Sequence, residues 1–203
     1  MRNFFAVALL GTTATLFGGT ITINFDNLSD GNVVTNQYAA QDAIFSSSAG
    51  NVNYITAQSS YLSTPPNFIC TGPINSTISC AADTYVTFAT PVSGLTFDGL
   101  GINNTQANVA QVDVYTDGVF NSTVLIPGAG QGFSPENIDL SAFTDVTEIR
   151  IYNITDAAGI GWDTFSFTPN GTSTTPEPAT FWMVGAAMLG AGMFVRRSRA
   201  SRN

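Results

Sequence analysis

Residues 110–125 read AQVDVYTDGVFNSTVL, and this stretch decides the fold. In its first half, apolar side chains alternate with polar ones, which is the period-two pattern of a β-strand with one buried face. A second strand-like run follows after Asp117-Gly118, a dipeptide that favours the tight turn of a β-hairpin. The sequence therefore predicts an antiparallel hairpin with strands at residues 112–116 and 119–125.

The same alternation recurs along the body of the chain. Strand-like patterns lie at residues 21–25, 85–88, 110–114, 149–151 and 165–167. Turn-forming residues separate them at 29–32, 98–99 and 117–118. No segment shows a convincing helical period of 3.6 residues. Short strands at this spacing predict an all-β fold, a β-sandwich or jelly roll, over residues 20–168.

This body is strongly acidic. The chain has 14 Asp and Glu residues, and only Glu177 lies outside residues 20–175, where Arg150 is the one basic residue. Such a charge repels nucleic acid and anionic lipid headgroups, so we expect no nucleic-acid partner. A solvated acidic surface that keeps the protein soluble is the simpler interpretation, and a store of divalent cations is the alternative.

The N-terminus has the plan of a secretory signal peptide. Met1-Arg2-Asn3 gives a short positive start, an apolar run follows as far as Phe17, and small residues come next. A buried terminal strand or helix is the alternative. We predict a signal peptide at residues 1–19 and export of the mature chain.

The C-terminus combines three features in a fixed order. A polar linker at residues 169–178 ends in Pro-Glu-Pro, an uncharged apolar segment follows at 179–195, and an arginine-rich tail closes the chain at 196–203. The apolar segment is just long enough to predict a transmembrane helix. By the positive-inside rule, the arginines place the tail in the cytoplasm and the body outside. An ordinary stop-transfer anchor would look similar.

This tail resembles the PEP-CTERM sorting signal of Gram-negative bacteria. The matching residues are Pro176, Glu177 and Pro178 for the motif and Arg196 and Arg197 for the stop signal. The resemblance implies that a membrane cysteine protease, exosortase, recognises and processes the tail. Both prolines disfavour a helix and leave the tripeptide extended, which suits a protease cleft.

Cys70 and Cys80 are the two cysteines of the chain. An even pair in an exported protein predicts a disulfide. A metal site on two cysteines would lack further soft ligands, and a catalytic cysteine would lack its base, because the chain contains no histidine.

The composition also limits catalysis. Without histidine or lysine, the Ser-His-Asp, Cys-His and Ser-Lys arrangements are excluded. A pair of carboxylates of the glycosidase type remains, but none of the acidic residues forms a recognisable motif. We therefore expect a protein that is not an enzyme.

A structural Ca²⁺ is a further hypothesis. Asp26 closes the first predicted strand and Asp163 opens the last, and the first and last strands of jelly rolls commonly pair. By fold-level analogy, secreted lectin-like sandwiches often hold Ca²⁺ near such ends, and Asn27 and Asp30 would add oxygen ligands. Alternatively, Asp26 and Asp163 are turn or cap residues.

Aromatic side chains are candidates for stacking on sugar rings. They are Trp162, Tyr38, Tyr54 and Tyr61. The alternative is that they belong to the core, where most aromatic residues of strands lie.

We predict a non-enzymatic surface or extracellular-matrix protein. It is exported, anchored in the inner membrane, processed by exosortase and then left at the cell surface or outside the cell. The resemblance implies a setting of exopolysaccharide and biofilm. The alternative function is a lectin-like carbohydrate-binding module that acts as an adhesin.

Overall fold

The computed structural model describes residues 18–57, 64–73, 79–102, 105–130, 134–156 and 159–170. These residues form eleven strands and a 3-10 helix at Ala39–Gln41. The strands are β1 (Ile21–Ile23), β2 (Val33–Val34), β3 (Ala43–Ser47), β4 (Asn51–Ala57), β5 (Asn67–Pro73), β6 (Thr84–Leu100), β7 (Ala110–Thr116), β8 (Val119–Ile126), β9 (Glu136–Asp139), β10 (Val146–Tyr152) and β11 (Gly161–Pro169). The prediction of an all-β fold is confirmed.

The hairpin predicted at residues 110–125 is the pair β7–β8. Its turn residues Asp117 and Gly118 have φ angles of 50° and 77°. Positive φ at both positions is the requirement of the turn that joins two twisted antiparallel strands most directly. The observed strands extend the predicted ones by two residues at the start and by one at the end.

The strand β6 organises the whole sheet because its two halves have different neighbours. Residues 84–88 pair with β3 on one side and β10 on the other, while residues 96–100 pair with β11 and β9. We call the strands β3, β6 (84–88), β10, β7 and β8 layer A. Layer B contains β2, β4, β5, β11, β6 (96–100) and β9, and β1 also pairs with β11.

Aromatic rings show that the two layers face each other. Phe45 of β3 lies 5.4 Å from Phe165 of β11, measured between ring centroids, although the two strands are not hydrogen-bonded. Phe88, in the half of β6 that belongs to layer A, lies 4.9 Å from Phe167 of β11 between ring centroids. All four rings are buried, and burial of each such side chain stabilises the fold by about 1.5–3 kcal/mol.

The turn predicted at Asp98-Gly99 is wrong, since both residues lie inside β6. Gly99 serves packing instead. A Cβ atom there would lie 3.1 Å from Cζ3 of Trp162 and 2.5 Å from Cδ1 of Ile102. Because glycine has no side chain, these two residues can approach the strand backbone closely, which is a common reason for a glycine within a strand.

The predicted disulfide joins Cys70 and Cys80, whose Cα atoms lie 4.7 Å apart. The remaining predictions on the termini fall outside the described residues. They are the signal peptide except for residues 18 and 19, the sorting motif at 176–178, the apolar segment at 179–195, and the tail with Arg196 and Arg197. No helix within the described ranges is long and apolar enough to cross a membrane.

Candidate functional site

Asp26 lies in the loop that follows β1. Its Oδ2 accepts a hydrogen bond from the side-chain amide of Asn24 at 2.7 Å, and its Oδ1 accepts one from the backbone N–H of Asn67 at 3.2 Å. The Asn67 amide donates to the carbonyls of Phe25 and Leu28 at 3.2 and 2.7 Å. These hydrogen bonds hold the loop against the start of β5.

Asp163 lies in β11 and is completely buried. Its Oδ2 accepts hydrogen bonds from the backbone N–H and the hydroxyl of Thr64, at 3.2 and 2.9 Å. Its Oδ1 accepts the N–H of Thr164 at 2.7 Å. Thr164 has a φ of 49°, a region that β-branched residues rarely enter. The chain bends at this point, and the buried carboxyl group of Asp163 accepts hydrogen bonds from Thr64 and Thr164.

The charges of both carboxylates affect the pKa of Tyr38. Burial, then the charges of Asp26 and Asp163, raise the pKa of Tyr38 to about 12. Its hydroxyl donates to Oδ1 of Asn27 at 2.6 Å. Asp26 and Asn27 therefore lie together in this loop, and the charge of Asp163 acts on the same tyrosine.

The fourth residue named for a calcium site, Asp30, has a different role. Its Oδ1 accepts a hydrogen bond from the backbone N–H of Ala57 at 3.0 Å. The backbone N–H of Asn32 donates to the carbonyl of Ser29 at 3.0 Å and closes the turn. Asp30 is exposed and fixes the loop against β4. Asp30 thus has the kind of turn role that was the alternative interpretation for Asp26 and Asp163.

The sequence did not identify Asp98 as a neighbour of Asp163. The two residues are directly opposite each other in the pairing of β6 with β11. Asn137 of β9 donates to Oδ1 of Asp98 at 3.1 Å and continues the row. Within the described ranges, no three acidic, histidine or cysteine residues form a group suited to a metal. A Ca²⁺ ion here would take its other ligands from amide and carbonyl oxygens, and the calcium hypothesis stays a prediction.

Two of the aromatic candidates for sugar stacking, Trp162 and Tyr38, belong to the core, which was the alternative interpretation. Trp162 is completely buried and packs against Phe97 with ring centroids 5.7 Å apart, and Tyr38 is buried too. Neither ring can contact a polysaccharide, because both point into the core. Tyr54 is half-buried beside the disulfide, where its hydroxyl accepts the N–H of Ser79 at 3.2 Å. Tyr61 lies outside the described residues.

The outer face of layer A carries exposed rings instead. Strands β3, β6, β10 and β7 bury alternate side chains, among them Val86, Val112, Val114, Ile149 and Ile151. The residues between them point outward and form two rows across the five strands. One row contains Ser46, Tyr85, Arg150, Asp113 and Thr123, and the other contains Ile44, Thr87, Glu148, Tyr115 and Phe120.

Arg150 joins these two rows. Its guanidinium carbon lies 4.7 Å from the ring centroid of Tyr115 and 5.7 Å from that of Tyr85. Its Nε donates to Oε1 of Glu148 at 2.6 Å. Tyr115 in turn contacts Phe120 edge-on, with centroids 5.9 Å apart. Three aromatic rings and one guanidinium therefore form a continuous line over β6, β10, β7 and β8.

Asp113 supplies the acceptors of this face. Its Oδ1 accepts the hydroxyls of Thr123 at 2.5 Å and Tyr152 at 3.1 Å. Desolvation, followed by the hydrogen bond to Asp113, raises the pKa of Tyr152. The hydrogen bond to Glu148 raises the pKa of Arg150. The alternation in the sequence already predicted that these side chains point outward. It did not predict the order of the strands in the sheet.

Residues 174–199 match the family model of the PEP-CTERM protein-sorting motif. The resemblance seen in the tail is thereby confirmed, and the chain carries this sorting motif. The match suggests an exported protein that is sorted at the membrane and processed by exosortase. No curated protein matches the chain.

Solved structures give partial similarities. The K2 cleaved adhesin domain of Lys-gingipain has a TM-score of 0.44 at 13% identity, over 73% of this chain and 97% of that one. The K1 domain from Porphyromonas gingivalis W83 has a TM-score of 0.43 at 18% identity, over 76% and 100%. A family 35 carbohydrate binding module from Clostridium thermocellum has a TM-score of 0.30 at 13% identity, over 68% and 98%. Similarities at this level do not establish what this chain binds.

Proposed function

We propose that the chain is a non-enzymatic protein of the cell surface or extracellular matrix that exosortase releases from the inner membrane. The observation that carries the proposal is the PEP-CTERM sorting motif at residues 174–199, attached to a compact acidic β domain. The apolar segment at 179–195 anchors the chain before processing. Arg196 and Arg197 hold the tail in the cytoplasm, so that the motif lies at the outer surface of the membrane.

The composition supports a role without catalysis. A chain that has no histidine lacks the commonest general base, and the absence of lysine removes another. Asp98 and Asp163, which are directly opposite each other in the pairing of β6 with β11, differ in access, because Asp163 is completely buried. A buried carboxylate that no substrate reaches cannot serve as acid, base or nucleophile.

The mature C-terminus tests the proposal. The full-length chain is expressed in a host that contains exosortase, and the C-terminal peptide from secreted and membrane fractions is read by mass spectrometry. We expect cleavage near Pro176-Glu177-Pro178 in the secreted form. The triple alanine variant of these residues should stay in the membrane with its tail intact. Mature wild-type molecules that all keep residues 196–203 would refute processing.

A second candidate is a lectin-like carbohydrate-binding adhesin. The specific observation in its favour is the outer face of layer A, where rings, a guanidinium and a carboxylate are accessible together. It is compatible with the first proposal, because a processed surface protein that associates with exopolysaccharide needs a face that contacts sugar.

A further inference from the structure

The outer face of layer A combines two kinds of group that a sugar requires. Phe120 is 52% exposed, and Tyr85 and Tyr115 are half-buried beside Arg150. Pyranose rings have apolar C–H faces that pack on aromatic rings, and hydroxyls at their edges that both donate and accept hydrogen bonds. A face with rings alone would suit a protein partner equally well, so the polar groups decide between the two.

These polar groups are held in position. The guanidinium of Arg150 is fixed between two tyrosine rings and by Glu148, and its terminal nitrogens carry the other N–H donors of the group. Asp113 is fixed by Thr123 and Tyr152 and offers a carboxylate acceptor one strand away. Groups that are already ordered lose little conformational entropy when a ligand binds.

The charges of the face indicate a neutral ligand. Arg150 is directly opposite Asp113 and bonded to Glu148, so the positive charge is compensated locally. It is also the one basic residue between residues 20 and 175, in a body that is otherwise acidic. A polyanion would be repelled by the body and would find no excess positive charge on this face.

The spacing indicates an extended ligand. Adjacent strands lie about 4.8 Å apart, so the line from Tyr85 through Arg150 and Tyr115 to Phe120 crosses about 14 Å of the face. A polysaccharide that runs across the strands presents a new sugar unit at nearly every strand. A single sugar would cover only one of the rings.

We propose that the outer face of layer A binds an extended segment of a neutral polysaccharide along the line Tyr85–Arg150–Tyr115–Phe120. This inference rests on the proposed association with extracellular polysaccharide and names the site that makes it. Phe120 and Tyr115 contact the sugar faces, and Arg150 and Asp113 bond to the hydroxyls.

Affinity electrophoresis of the full-length chain tests this site. The gels contain, in turn, a soluble β-1,4-glucan, an α-1,6-glucan, a β-1,4-mannan and, as a polyanion, alginate. We expect at least one neutral polymer to retard the wild-type chain. Phe120→Ala should weaken this binding about tenfold, since a lost aromatic contact of this size corresponds to about one decade in affinity. Tyr152→Phe, which keeps the ring and removes one bond to Asp113, should weaken binding by a smaller factor.

Val119→Ala is the matched control. Val119 is 68% exposed and adjoins Phe120, but it lies at the hairpin turn beyond the line of rings. It should bind as the wild type does. Because Phe120 is exposed, its variant should fold normally, and the thermal melting curve verifies this.

Each contrary result identifies what is wrong. A wild-type chain that none of the neutral polymers retards would overturn the association with polysaccharide itself. If Phe120→Ala binds as the wild type does, the association with polysaccharide stands, but the binding site does not lie on this face. Stronger retardation by alginate than by the neutral polymers would overturn the neutral ligand. Self-association in plain buffer that Phe120→Ala abolishes would assign the face to a second copy of the chain.

Discussion

Asp163 lies directly opposite Asp98 where β11 pairs with β6, and Asp163 is completely buried. Like charges at directly opposite positions of an antiparallel pair destabilise a sheet. The single basic residue of the body, Arg150, is engaged with Glu148 in layer A. When both carboxyl groups are ionised, a divalent cation beside them would offset this repulsion, and the calcium hypothesis can be tested on that basis.

Chelation tests that hypothesis. If Ca²⁺ binds near Asp26 and Asp163, excess EDTA should lower the melting temperature of the full chain, and added Ca²⁺ should restore it, since an ion that binds only the folded state stabilises it. The measurement is differential scanning calorimetry before and after dialysis against the chelator. An unchanged melting temperature would end the hypothesis.

The variant Asp98→Asn tests the calcium hypothesis in a second, independent way. Asparagine keeps the Oδ1 acceptor for Asn137 and removes one negative charge. With a bound cation, we expect the variant to be less stable than the wild type and less sensitive to EDTA. Without a cation, relief of the repulsion should stabilise it by about 0.5 kcal/mol. Chemical denaturation distinguishes the two directions.

Tyr38 makes stability depend on pH in the alkaline range. Its pKa is raised from the usual 10.0 to about 12 by burial and by Asp26 and Asp163, so the folded state holds the phenolic proton more tightly than the unfolded state does. This contribution is complete below pH 10 and is lost as the pH rises toward 12. In urea denaturation, Tyr38→Phe should lose less stability than the wild type over this interval.

Asn27→Ala is the control for Tyr38. It removes the acceptor of the Tyr38 hydroxyl but keeps the phenol. The variant should therefore be less stable at neutral pH and should still lose stability in the alkaline range. Parallel pH profiles for the wild type and Tyr38→Phe would show that Tyr38 is not responsible.

Local patterns predicted six of the eleven described strands, because alternation is a property of neighbouring residues; β2, β3, β4, β5 and β9 were not predicted. The hairpin β7–β8 follows from the sequence, whereas the pairing of β1 with β11 was expected only by analogy with jelly rolls. The turn at Asp98-Gly99 was wrong because a glycine that admits Trp162 to the strand looks the same in sequence as a glycine in a turn. Only the packing separates these two uses.

The sites were harder to predict, since they depend on contacts between distant residues. Asp163 is held by Thr64, which is 99 residues away in the chain. The line on layer A joins β6, β10, β7 and β8, whose order in the sheet is not their order in the sequence. Alternation showed which side chains of each strand point outward, but not which strands are neighbours. The sequence left Trp162 open between sugar stacking and the core, since a large aromatic side chain looks the same in sequence whether it is exposed or buried.

The disulfide should raise the free energy of unfolding, by an amount that depends on the length of the loop it closes. Cys70 and Cys80 are 10 residues apart, and closure of a loop of this length contributes about 2–3 kcal/mol. The variant Cys70→Ala/Cys80→Ala should lose this amount in urea denaturation. Treatment with a reductant should have a similar effect on the wild type and none on the variant. A double variant as stable as the oxidised wild type would contradict the prediction.

Gly159 should be the most sensitive of the glycines with positive φ. Its φ is 78°, and a Cβ atom there would collide with the backbone carbonyl of Cys80, with which residue 159 forms an isolated β-bridge. The N–H of Ile160 donates to the same carbonyl at 2.9 Å, so the segment cannot move away without losing that bond. Gly159→Ala therefore combines backbone strain with a steric clash, and we expect a loss of about 3 kcal/mol or more.

Gly50→Ala separates the two contributions to that loss. Gly50 has a similar φ of 81°, but no atom lies within 4 Å of the position that its Cβ would take. The substitution there should cost only the strain of the left-handed conformation, about 1 kcal/mol. The difference between the two variants in urea denaturation measures the clash with Cys80. Equal losses would mean that the backbone at residues 159–160 shifts freely and that the bridge to Cys80 contributes little to stability.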